Sequence, residues 1–345
     1  MTLPQPLLVF GPRKSGTTLL HNLLDGGSEL IMIPGELKLQ LILKRRQNTH
    51  QEAARTYLKR GRLDFGHMMT WENDWPSAAP DFAFDGLNAA QTREVFDVEN
   101  YVAQLRQLLS ATSSTRSDTE ANTRATIEHD VAAFLSAMKE RPQAARYWAS
   151  KEISSRPEVA LAFWRSLFPQ SRIVYLVRQP EFIVRSILND RRRKGIRLSS
   201  RTILWHCSEV QHLINYAHQM TFEESAQRPV FIAYEDMTSN TESEIKRVSH
   251  ELGIAFEPIL ARPTTLGVAM VVRTSSRATT EVFRQESDWR KGLTPREIRL
   301  ITLHQKLQTL IFRARREKLV PYETLRQRLR EMQTEKSQEA LSSDK

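Results

Sequence analysis

Leu7-Leu8-Val9-Phe10-Gly11-Pro12-Arg13-Lys14-Ser15-Gly16-Thr17-Thr18-Leu19-Leu20 joins an uninterrupted apolar run to a glycine-punctuated turn and the start of a helix. Four consecutive apolar residues with no polar break predict a strand buried on both faces, as in a parallel sheet. Gly11 and Gly16 let backbone approach an anion closely, and the first N–H groups of a helix from Thr17 to Leu24 point at it with the positive dipole end behind them. The pattern predicts a cradle for a phosphate-like group, although a glycine-containing turn ahead of an amphipathic helix has the same outline.

Which kind of group follows from a departure. A nucleotide-triphosphate loop reads G-x-x-x-x-G-K-[ST], and Gly11 to Thr18 keeps both glycines and the last hydroxyl but has Thr17 in the lysine position. The cation stands at Lys14 instead, from which it can reach a terminal group and its leaving oxygen. A second anion element lies far along the chain. Arg172-Ile173-Val174-Tyr175-Leu176-Val177-Arg178 reads as a β-branched strand ended by Gln179-Pro180, and Ser186 follows on the next helix. A guanidinium at a strand end can chelate a phosphate through two parallel hydrogen bonds, and a nearby hydroxyl adds a third.

Composition sets the bounds. The 345 residues suffice for one large α/β domain or two smaller ones, and 40% hydrophobic with 26% charged residues is the balance of a soluble globular protein. A formal charge of +10 implies anionic partners without choosing among them. Cys207 stands alone, which excludes intrachain disulfides and a cysteine-rich zinc site and favours a reducing compartment. No apolar run approaches the roughly 20 residues that span a bilayer, and Met1 to Phe10 has no basic n-region or cleavage site, so the expected location is cytoplasmic.

The remaining segments predict βαβ units in order. Leu30 to Ile33 reads as a strand stopped by Pro34-Gly35, with Glu36 beyond it on the side where parallel sheets bind ligands; Glu36 equally suits the first turn of a helix over Leu37 to Leu43. Ala145 to Glu152 reads as a strand carrying Lys151, Pro157 to Phe168 as a helix, and Val230 to Tyr234 as a strand leading through Glu235-Asp236 to a helix from Asn240 to Leu252. The helix from Arg201 to Met220 carries His206, His212 and His218; a six-residue spacing turns successive side chains by roughly 240°, so they do not converge on a metal. Basic helices over Thr294 to Arg315 and Tyr322 to Met332 close the chain, with a polar, frayed tail at 333–345. The expected fold is a three-layer α/β/α domain over residues 1–330, P-loop-NTPase-like, with a mostly parallel central sheet. A helical and loop-rich cap is inserted at about 47–146, where Trp71, Trp75, Phe82 and Phe84 lie among prolines and acids.

Arg13-Lys14-Ser15-Gly16-Thr17-Thr18 after the first strand resembles the phosphosulfate-binding loop of sulfotransferases that use 3′-phosphoadenosine 5′-phosphosulfate (PAPS). Arg178 with Ser186 is similar to the 3′-phosphate element of the same family, with Gln179 in place of the family's aspartate. Phe168-Pro169, Tyr234-Glu235-Asp236, Ser275-Ser276 and Asp288-Trp289-Arg290-Lys291-Gly292-Leu293-Thr294 also resemble family elements in order, so the likeness spans about Leu7 to Ile301 with 47–146 unmatched. It implies PAPS as co-substrate, no metal in the chemistry, and binding by Arg13, Lys14, Ser15, Gly16, Thr17, Thr18, Arg178, Ser186, Ser275, Arg290 and Lys291. For catalysis it implies Lys14 at the leaving oxygen, Glu36 as base and Lys151 at the sulfuryl group. The acceptor would be a hydroxyl or amine of a carbohydrate, lipid, peptide or small metabolite.

Two other classes fit parts of the pattern. A P-loop kinase or NTPase is disfavoured by Thr17 and by a strand ending in Arg178 rather than a magnesium-holding acid. A nucleic-acid-binding protein suits the charge, but no binding module or stacking motif accompanies it. Arg191-Arg192-Arg193-Lys194 reads either as a solvated, dipole-favoured helix end or as a contact for an anionic acceptor.

Overall fold

The structure is a computed structural model that describes residues 2–37, 39, 83–84, 86–111, 119–224, 227–270, 272–273, 278–279, 282, 288–314 and 319–343. Trp71, Trp75, Phe82, Ser275 and most of 37–43 therefore lie outside the described residues.

Strand β1 (Gln5–Gly11) is the middle strand of a five-stranded parallel sheet in the order β2-β3-β1-β4-β5, with β2 at Leu30–Glu36, β3 at Tyr147–Ile153, β4 at Arg172–Val177 and β5 at Val230–Ala233. Because strand side chains alternate faces, the apolar run splits evenly. Leu7 and Val9 enter one hydrophobic layer and Leu8 and Phe10 the other, all four fully buried.

The first layer packs α1 (Thr17–Leu23), which contributes Leu20 and Leu23. The second receives α2 (Ala89–Val95), α3 (Val98–Ala111), α4 (Thr119–Ala137) and α5 (Pro157–Leu167). Helix α6 (Pro180–Arg193) starts on its proline, whose fixed φ suits a first helical turn, and buries Phe182, Ile183 and Ile187 against α7 (Ser200–Met220). After β5 come α8 (Tyr234–Ser239), α9 (Thr241–Leu252), α10 (Pro295–Ala314) and α11 (Tyr322–Ser343). Ile245 and Val248 of α9 join the first layer, and Tyr322 and Leu325 of α11 the second. The result is α/β/α layering about a parallel sheet. None of the helices among the described residues is long and apolar enough to cross a membrane.

Three boundaries differ from the predicted ones. Strand β2 does not stop at Pro34 but runs to Glu36, because it is an edge strand whose register against β3 shifts between Met32 and Glu36; proline is tolerated at edges and bulges. Tyr234-Glu235-Asp236 is not a connection but the start of α8, placing two acids in the first turn, where they complement the dipole. Helix α11 continues to Ser343 through Gln333-Thr334-Glu335-Lys336-Ser337-Gln338-Glu339-Ala340, a stretch of mostly good helix formers.

The aromatic Phe84 belongs to the core: it is buried, with its ring edge-on to Phe96 at 5.0 Å. The histidines of α7 take separate partners, His206 with Glu209 at 3.1 Å and His212 with Glu158 at 3.3 Å. Cys207 is buried, and burial pushes its thiol up to about 12.

Asp25, just after α1, ties that helix to a hairpin of β6 (Thr264–Thr265) and β7 (Val268–Ala269). Its Oδ2 accepts from Thr264 Oγ1 and from the Gly267 N–H, each at 2.8 Å. Leu266 and Gly267 both have positive φ, 54° and 74°, as a tight primed hairpin turn requires. Burial pushes Asp25 from 3.8 up to about 6, against the lowering effect of those hydrogen bonds. The folded state therefore holds a proton that the unfolded chain releases between those values, and stability from this group falls as pH rises from about 4 to 6. Asp25→Asn keeps an acceptor and removes the buried charge. Its stability relative to wild type, from urea unfolding, is expected to improve by on the order of 2 kcal/mol between pH 4.5 and 7.5. A difference independent of pH would exclude this role for the carboxyl.

Candidate active site

The turn between β1 and α1 is built by two bonds to one carbonyl: Ser15 N–H and Ser15 Oγ both donate to Pro12 O, at 3.1 and 2.7 Å. Lys14 and Gly16 take positive φ, 65° and 107°, and Gly16 begins α1 with no side chain capping its N–H groups. The glycines are sterically required. A Cβ on Gly11 would stand 2.8 Å from Leu176 O, and one on Gly16 would stand 2.4 Å from the Tyr234 ring. Both close approaches come from the β4/β5 side of the loop. A glycine-bounded turn leading into an uncapped helix start is the geometry expected of an anion cradle.

Lysines flank the cradle. On the β3 side, Lys151 is buried, donates to Thr18 Oγ1 at 2.8 Å, and lies 3.8 Å from Glu36 Oε1. The strand register explains this meeting, since Glu36 and Lys151 are partners across β2 and β3. On the α6 side, Lys14 Nζ donates to Asp190 Oδ1 at 3.1 Å, and Arg13 lies 3.7 Å from the same carboxylate.

Arg178 follows directly on β4 and reaches the loop itself, its Nη1 donating to Lys14 O at 3.0 Å while its guanidinium lies over the Tyr234 ring at 4.0 Å. Burial lowers the affinity of this guanidinium for its proton, and Tyr234 and Glu235 act the other way. The two anion elements read separately in the sequence are thus in direct contact, with Tyr234 beneath Gly16 and Arg178 alike. Ser186 is half-buried on α6, two turns beyond Pro180. At Gln179, where the family has aspartate, the backbone N–H donates to Glu235 Oε1 at 3.0 Å, and Glu235 Oε2 accepts from Tyr322 at 2.5 Å. A carboxylate from the next strand's helix supplies the turn bond and links it to α11.

The Asp288 to Thr294 segment is docked on α6. Trp289 is buried among Phe182, Ile183 and Ile187, Arg185 donates to Asp288 O at 3.2 Å, and Arg192 donates to Gly292 O at 2.8 Å and to Glu297 at 2.6 Å. Arg290 lies exposed over the Trp289 ring at 4.9 Å, and Lys291 is exposed beside it. The basic run at the end of α6 is neither purely solvated nor free for an acceptor along its length. Arg192 holds the C-terminal segment, and Arg193 and Lys194 pair with Asp190 at 3.3 and 3.2 Å.

Three participants escaped sequence reading: Asp190, Glu235 as partner of Gln179, and the Tyr234 ring as a shared floor. The signal for Asp190 was its place four residues after Ser186 on the same helix face, toward the loop.

Among solved structures, the sulfotransferase domain from the Synechococcus PCC 7002 olefin synthase matches with a TM-score of 0.50 at 17% identity, covering 88% of this chain and 96% of that one. The sulfotransferase domain from the curacin biosynthetic pathway has a TM-score of 0.49 at 20% identity, covering 88% and 99%. No curated protein sequence matches. The family model described as "Sulfotransferase family" matches residues 6–258, from β1 through the helix after β5 and hence every strand of the parallel sheet, and the chain belongs to that family.

Proposed function

We propose that the protein transfers a sulfuryl group from PAPS to a hydroxyl or amine acceptor by in-line displacement. The observation that carries this reading is the pair of lysines flanking the glycine cradle, with a carboxylate beside each, Glu36 by Lys151 and Asp190 by Lys14. The cradle would take the 5′-phosphosulfate, with Ser15, Gly16, Thr17 and Thr18 around it. Arg178 and Ser186 would hold the 3′-phosphate, and Arg290 and Lys291, on the segment docked to α6, would close over the nucleotide. Ser275 has the same role by resemblance.

In the transfer, a new bond forms between acceptor oxygen or nitrogen and sulfur as the bond from sulfur to the bridging phosphate oxygen breaks. Negative charge develops on that oxygen, which leaves with adenosine 3′,5′-bisphosphate, and Lys14 stabilises it from a fixed position. Lys151 faces the sulfuryl oxygens. Glu36, 3.8 Å from Lys151, takes the acceptor's proton. The mechanism needs no metal. The acceptor class is a hydroxyl-bearing carbohydrate, lipid, peptide or small metabolite.

The test compares ligands and then turnover. Adenosine 3′,5′-bisphosphate is expected to raise the melting temperature by mass action, whereas ATP with magnesium is not. Radiolabelled sulfate from PAPS should then appear in an acceptor extract, and Glu36→Gln should retain bisphosphate binding while losing turnover. Stabilisation by magnesium-ATP alone would favour a phosphotransferase instead.

A further inference from the structure

Asp190 is a carboxylate at the loop that is surrounded by cations. Its side chain is 9% exposed, while Arg13, Lys14, Arg193 and Lys194, within 3.1 to 3.7 Å, are 31 to 56% exposed. Four partly exposed cations thus converge on one buried anion. Two come from the loop, and Arg193 and Lys194 come from the end and C-cap of α6, the helix that also carries Ser186. Burial alone would raise its pKa, but hydrogen bonds and charge from Lys14 and Lys194 outweigh it and hold the carboxyl below its usual range.

An anion in that position competes with any anion that needs Lys14. We propose that Asp190 is an internal counter-anion which holds Lys14 and Arg13 until a multiply charged donor displaces it, making it a positioning and specificity-determining residue. The proposal rests on the reading that the donor's 5′ end lies in the loop. Exchange is feasible because Arg193 and Lys194 stay with Asp190 when Lys14 leaves. A carboxylate stripped of every partner would be strongly destabilised, and the two spare cations avoid that outcome. Weakly charged anions cannot repay the loss of the internal pair, whereas a group bearing several charges can.

The test is binding of adenosine 3′,5′-bisphosphate by calorimetry at low ionic strength. Asp190→Asn is expected to tighten it about fivefold to tenfold, and in a Lys14→Ala background the same substitution should change it less than twofold. A purely structural role predicts weaker binding and a lower melting temperature instead. Should Asp190→Asn not fold, Asp190→Ser carries the same expectation, and failure of both to fold would make Asp190 structural and overturn the inference. If wild type does not bind the bisphosphate, the functional reading fails. If wild type binds and Lys14→Ala weakens it but neither Asp190 variant tightens it, only the counter-anion role fails.

Discussion

Lys14→Ala is expected to lower kcat for sulfuryl transfer by about 10²- to 10³-fold, the range seen when one preorganised donor to developing charge is removed. The expectation rests on how the lysine is held. Its backbone is fixed at a φ of 65° between the Ser15 turn and the Arg178 bond to its carbonyl, so the direction in which the side chain leaves the loop is set before any ligand arrives. A lysine on a loose loop would have to be oriented during the reaction, whereas the backbone of this one is oriented in advance. Bisphosphate affinity should fall far less than kcat, because in the proposed mechanism the charge that Lys14 opposes is greatest on the leaving oxygen in the transition state. Single-turnover transfer with saturating PAPS, beside calorimetric binding of the bisphosphate, separates the two effects. Equal losses in both would reduce Lys14 to a binding residue, and an unchanged kcat would remove it from the mechanism. Lys14→Arg keeps the charge on a bulkier, planar head and is expected to fall between.

The parts of this molecule that were legible in the sequence are those fixed by local rules. Leu7 to Phe10 and Ile173 to Val177 are apolar without interruption because both faces of their strands are covered, and that pattern is readable from residue order alone. Gly11 and Gly16 were readable as glycines of a tight loop, but that Leu176 O and the Tyr234 ring are what leave no room for a Cβ there was not. Placing Glu36 beside Lys151 needed more: the residues stand on strands that are distant in the chain, and their meeting depends on the order β2-β3-β1, which no local pattern states. Asp190 was less visible still. Its partner Lys14 is 176 positions away, and an aspartate in the last turn of a helix followed by three arginines looks like an ordinary solvated helix end. The unfavourable dipole position was a clue, because an acid at a helix C-terminus needs compensation from elsewhere. Likewise, nothing local to Gln179 shows that Glu235, on another strand's helix, accepts the turn's backbone N–H.

Gly16→Ala is expected to disable both anion elements at once. Alanine at a φ of 107° is strained, at a cost of about 1–3 kcal/mol, and its Cβ would in addition lie 2.4 and 2.5 Å from Cε2 and Cδ2 of Tyr234. The Tyr234 ring cannot withdraw freely, since it is buried and its opposite obligations include the guanidinium of Arg178 at 4.0 Å. Relief must therefore come from moving the loop, from moving Arg178, or from both. Either movement disturbs the 3.0 Å bond between Arg178 and Lys14 O that holds the two sites in register. Bisphosphate binding should weaken by at least 100-fold, a larger loss than removal of any single charged contact, together with a melting temperature several degrees lower. Gly253→Ala separates strain from clash. Gly253 closes α9 at a φ of 71°, and a Cβ there would meet nothing nearer than Arg146 Nη1 at 3.5 Å, so it should lose roughly 1 kcal/mol of stability and keep wild-type affinity. If the two variants lose stability equally and Gly16→Ala still binds the bisphosphate, the Tyr234 ring is only packing, and the coupling of the two elements through it must be given up.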